Sequence, residues 1–107
     1  MTEEQFFEIQ FEKFAKIADD NNLTTIFSMY EIADINENSG LLADIMTDGY
    51  HNNITLNLPN RKLTWLELWK YADMLYQTIG DSEHMFIESF KVKEINGKRE
   101  LQVFFGS

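Results

Sequence analysis

Asn96-Gly97 stands between two runs of alternating apolar and polar residues, 84–95 and 98–105, and no other feature limits the fold as tightly. Asn-Gly favours the two-residue hairpin turn with positive φ at both centres, whose twist matches that of the strands it joins. Such a turn leaves one register. It sets Val92 opposite Leu101, Phe90 opposite Val103 and Glu88 opposite Phe105 on one face. The same register places Glu94 against Arg99 and Lys93 against Glu100, so opposite charges meet across the strands. The second face carries Met85, Ile87, Ser89 and Phe104. It is half apolar and needs cover, either from helices or from another molecule.

Residues 63–80 form the expected central helix. Thr64 and Glu67 make a capping box, Leu63 and Leu68 a hydrophobic staple, and Gly80 a left-handed stop. Trp65, Leu68, Trp69, Ala72, Leu75, Tyr76 and Ile79 share one stripe at the 3.6-residue period. Glu67, Lys70, Asp73, Met74, Gln77 and Thr78 take the other side. Thr2 and Gln5 form a second capping box, opening a helix to about Asp19 with Phe7, Phe11, Phe14, Ile17 and Ala18 as its apolar stripe. Glu4, Glu8 and Glu12 form a like-charge row on its outer side, and Glu12 and Lys16 an i,i+4 pair.

Between these helices the pattern is weaker. In 23–35, Ile26, Tyr30 and Ala33 suit a helix, although Thr24-Thr25-Ile26 also suits the start of a strand; a helix is the expectation. Ser39 caps a short expected helix over 41–47, stopped by Gly49. Ile54, Leu56 and Leu58 alternate with Thr55 and Asn57 as a strand ended by Pro59. A right-handed crossover would lay 54–58 parallel to 84–95. The fold class is then α+β. N-terminal helices precede a β-α-β-β unit with a small three-stranded mixed sheet and a C-terminal β-hairpin. With 107 residues and no linker or repeat, residues 1–107 read as a single domain.

Charge is the other strong signal. Residues 1–60 hold eleven acids and two bases, Lys13 and Lys16, a net of −9, whereas 61–107 balance at seven of each. No Lys or Arg occurs in 17–60, while Asp19, Asp20, Glu31, Asp34, Glu37, Asp44 and Asp48 do. Such a field repels nucleic acid and anionic membranes and attracts basic surfaces, although acidity also serves solubility alone. The chain has no cysteine, which removes disulfides, thiolate nucleophiles and cysteine zinc sites. Its opening Met-Thr-Glu-Glu-Gln lacks the features of a signal peptide and no apolar run reaches membrane-spanning length, so a cytoplasmic protein is the expectation.

The motifs of chemistry are incomplete. Asp34-x-Asn36-x-Asn38 opens like a calcium loop, but Ser39 replaces the glycine at position six and Ile45 the acid at position twelve. Asp44, Asp48 and His51 would need one another as metal ligands, and Gly49 interrupts their spacing. His84 follows Asp81, Ser82 and Glu83, a polar turn rather than a triad. No glycine-rich phosphate loop is present. The basic residues Lys91, Lys93, Lys98 and Arg99 stand beside Glu94 and Glu100, so direct nucleic-acid binding is not expected. The expectation is a non-enzymatic protein without cofactor or metal.

In its size, lack of cysteine and the acid series from Asp19 to Asp48, the chain resembles small acidic phage-encoded inhibitors, including anti-CRISPR proteins. The resemblance is one of type over the whole chain and includes no shared motif. It implies an acidic protein-binding module that occupies a basic nucleic-acid site on a nuclease or interferes with guide-RNA loading. The seven acids would then be the partner-binding residues, and the partner a basic, nucleic-acid-handling protein. The alternatives are a structural or regulatory subunit that forms a homodimer through its sheet face, and a small enzyme with a dispersed site.

Overall fold

The hairpin organises the computed structural model, which describes residues 1–50, 54–80 and 83–107; His51, Asp81 and Ser82, weighed above, lie outside the described residues. Seven elements follow the chain: α1 Glu3–Asp20, β1 Ile26–Phe27, β2 Ile45–Asp48, β3 Thr55–Asn57, α2 Trp65–Ile79, β4 Phe86–Ile95 and β5 Lys98–Gly106. The strands form one five-stranded sheet in the order β1-β4-β5-β2-β3. Both helices contribute to a single core on one face, where Phe14 and Ala18 of α1 meet Leu68, Trp69, Ala72, Leu75 and Tyr76 of α2 over Met46, Ile87, Leu101, Val103 and Phe105. The fold is α+β as expected, but with one N-terminal helix and five strands in place of three. No helix among the described residues is long and apolar enough to cross a membrane.

Asn96 and Gly97 both take positive φ, 53° and 79°, as the two-residue turn requires. The expected register holds from Ile95 opposite Lys98 through Ser89 opposite Phe104. It then shifts. Ile87, not Glu88, faces Phe105, because a bulge intervenes between Ile87 and Ser89. An unbroken ladder would aim the Glu88 carboxylate into the core beside Phe105, and burying an unpaired charge is costly. One extra residue exchanges the two faces, so Ile87 becomes fully buried and Glu88 exposed. The expectation that Ile87 shares the outer face with Phe104 fails for the same reason.

Three further expectations are corrected. Residues 23–35 are not a helix: Ile26 and Phe27 pair in parallel with Phe86 and Ile87 as an edge strand. The backbone N–H groups of Thr24 and Thr25 go to Oδ1 of Asp73, at 2.9 and 2.7 Å, instead of into a helix ladder. Residues 41–47 are not a helix either. Ser39 uses its hydroxyl to donate to the Leu63 carbonyl and to accept from Leu41 N–H, and Ile45–Asp48 fills the free edge of β5 as a parallel strand. That placement displaces β3, which pairs antiparallel with β2 at the outer edge and is not a neighbour of β4 in the sheet.

Both capping boxes form, and Gly80 closes α2 with φ 78°. The buried face of α1 is rotated from the expected stripe. Gln10 is buried and donates to the Tyr30 carbonyl at 2.8 Å, whereas Phe7 and Phe11 are 41% and 39% exposed. Lys16 pairs with Asp20 rather than Glu12. On α2, Asp73 is buried, not solvent-facing, and its carboxylate accepts from Thr24, Thr25 and Gln77.

At the start of α2, Glu67 bonds Arg61 and the Thr64 N–H. The Arg61 bond first, then the Thr64 amide, lowers its carboxyl from 4.5 to about 2. The unfolded chain titrates near the ordinary value, so this stabilisation is complete above about pH 4.5 and is lost as pH falls toward 2. Glu67→Gln keeps the cap but not the charge. It should lower Tm at pH 7 and flatten the acid-induced fall in Tm across that window, as thermal melts at stepped pH will read.

Candidate functional site

The 28–44 connection between β1 and β2 carries the middle of the acid series and is fastened along its length. Gln10 and Lys13 of α1 donate to the carbonyls of Tyr30 and Ala33, at 2.8 and 2.7 Å. At the far end, Trp65 N–H donates to the Glu37 carbonyl at 3.1 Å and Asn38 bridges to Thr64 at the start of α2. Ile35, within the connection, is buried in the core. Asp34 Oδ1 accepts from Asn36 N–H and Asn38 Oδ1 from Gly40 N–H, so the calcium-like spacing is occupied by two Asx turns. Among the described residues, no group of three or more His, Asp or Glu side chains could hold a metal ion.

The fold brings only part of the acid series together. Glu31, Asp34 and Glu37 are all exposed on this one connection. Asp19 and Asp20 are exposed at the C-terminal end of α1, where Lys16 lies 2.8 Å from Asp20. Asp44 precedes β2 and accepts the Arg99 N–H at 2.9 Å, which ties it to the turn end of the hairpin. Asp48, at the opposite end of β2, is only 6% exposed and accepts from Tyr50 N–H at 2.9 Å. It belongs to a different surface. The ion pairs among the described residues are Lys16–Asp20 and Arg61–Glu67, Asp19 lies in the field of the same Lys16, and Glu31, Asp34, Glu37 and Asp44 take part in neither pair.

Asp48 instead lines a cleft of about 420 Å³ with Tyr50, His84, Glu88, Phe105, Gly106 and Ser107. Gly106 lines it, and Gly49 stands between Asp48 and Tyr50 in the chain. A side chain at Gly106 would overlap the Glu88 carboxylate, and one at Gly49 would overlap the Phe104 ring. Tyr50 stands edge-on to that ring, 5.4 Å between centroids. Two carboxylates, an imidazole and a phenol therefore line one cleft. Glu88 and Tyr50 were missed in the sequence. The available signal for Glu88 was its core position in an unbroken register, which only a bulge relieves.

Compared with models of protein families, with curated proteins and with solved structures, the chain matches none.

Proposed function

We propose that the protein is a non-enzymatic acidic binding module that occupies a basic nucleic-acid-binding surface of a partner. Its type, small, acidic and free of cysteine, is that of the anti-CRISPR inhibitors. The observation that carries this reading is the anchored connection with Glu31, Asp34 and Glu37 exposed and unpaired by any cation among the described residues. An acid strip held by α1 and α2 meets a basic surface without first paying the entropy of ordering a loop. Asp19 and Asp44 add exposed charge of the same sign elsewhere on the molecule, whereas Asp48 takes no part. Self-association through the sheet face loses Ile87, which is buried.

The test is binding to RNA-guided nucleases, with and without guide RNA, at two salt concentrations. Glu31→Lys, Asp34→Lys and Glu37→Lys together should weaken binding at least tenfold, mainly through slower association, and steepen no salt dependence. Wild-type affinity should fall as salt rises. Affinity indifferent to salt and to the three reversals would overturn the reading.

A further inference from the structure

The N-terminal half of α1 leaves an apolar surface open. Phe6, Phe7 and Phe11 are each 39–41% exposed, on a helix whose second half buries Phe14 and Ala18. The rings are not scattered. Phe7 lies 5.7 Å from Tyr30 and 5.9 Å from Phe6, and Phe11 lies 6.4 Å from Phe86 at the start of β4. Beside them runs a groove of about 490 Å³ lined by Ser28, Tyr30, Phe86, Glu88 and Ser107. Contiguous exposed aromatics beside a groove mark a contact surface, whereas single exposed apolar residues do not.

The surroundings specify the sign of what binds there. At helical spacing, Glu4 and Glu8 occupy the column next to Phe7 and Phe11, and Glu88 stands at the groove. The two bases of the first sixty residues are both engaged elsewhere, Lys13 on the Ala33 carbonyl and Lys16 on Asp20. A second copy of this chain would bring the same acidic rim against itself, which like charge disfavours. We infer that this groove is a docking site for a basic amphipathic helix, its apolar side chains packing on Phe7, Phe11, Tyr30 and Phe86 and its cations meeting Glu4, Glu8 and Glu88. The inference goes beyond the acid strip on the 28–44 connection and uses different residues.

The probe is a fluorescein-labelled 14-residue Leu/Lys peptide with leucines on one helical face. Its control is the same composition shuffled so that they share none. Fluorescence anisotropy should show the amphipathic peptide binding at least tenfold more tightly than the shuffled one. Phe7→Ser should remove most of that preference. Glu4→Lys with Glu8→Lys, both at exposed positions, should weaken binding at least tenfold with the melting transition retained, and serves as the test if Phe7→Ser does not fold. Asp34→Lys with Glu37→Lys should change the peptide's affinity by less than threefold, which separates this site from the acid strip. Equal affinity for the two peptides, or affinity unmoved by both groove variants, would overturn the inference. So would a wild-type dimer in sedimentation that Phe7→Ser converts to monomer, since the occupant would then be a second copy.

Discussion

Trp69→Ala is expected to cost about 3–5 kcal/mol, a large part of the whole stability of a domain this size. Trp69 has no exposed surface, and its indole is packed edge-on to Phe14 and tilted against Phe27, with centroids 6.2 and 5.5 Å away. These rings come from α1, β1 and α2, so truncation opens a cavity where the two helices and the sheet edge meet. The indole N–H also donates to the Thr25 hydroxyl at 3.1 Å. Thermal and denaturant melts should show a fall in Tm of roughly 15 °C or more. A change within a few degrees would mean that the core closes without this ring.

Asp73→Ala is expected to be nearly as damaging, about 3 kcal/mol or more, although no apolar packing is lost. One carboxylate oxygen of Asp73 accepts the N–H of Thr24, the N–H of Thr25 and the Thr25 hydroxyl, at 2.9, 2.7 and 2.6 Å. The other accepts from Gln77 at 2.8 Å. Truncation strands the Thr25 donors in a fully buried place. Asp73→Asn keeps an oxygen for the Thr24 and Thr25 bonds and should retain much of the stability, with neutral hydrogen bonds in place of charge-assisted ones. Trp69 and Asp73 both act through the Thr25 hydroxyl, so the double variant should lose less than the sum of the two. Equal melts for Asp73→Ala and Asp73→Asn would show that the carboxylate oxygen is not what holds β1 to α2.

The sequence by itself determined what depends on neighbours along the chain. The two capping boxes, the left-handed Gly80 and the Asn96-Gly97 turn are local hydrogen-bond and dihedral requirements, and each forms where it was read. The apolar stripe of α2 and the hairpin register as far as Ser89 and Phe104 belong to the same class. The segregation of acids into residues 1–60 was equally plain, since it is a count.

Tertiary structure decided everything that needed a distant partner. Residues 23–35 carry both helical and strand signals, and 41–47 reads as a short capped helix. Asp73, some fifty residues on, and the open edge of β5 instead make strands of Ile26–Phe27 and Ile45–Asp48. The seven acids look like one series along the chain. Folding sends Asp48 into a cleft with His84 and Glu88, pins Asp44 to the hairpin, and leaves Glu31, Asp34 and Glu37 exposed on one connection. The bulge at Glu88 has the same origin. A strand's period of two cannot keep both Phe90 and Ile87 on the core face, and burial of Ile87 with release of the Glu88 charge outweighs one interrupted rung of the ladder.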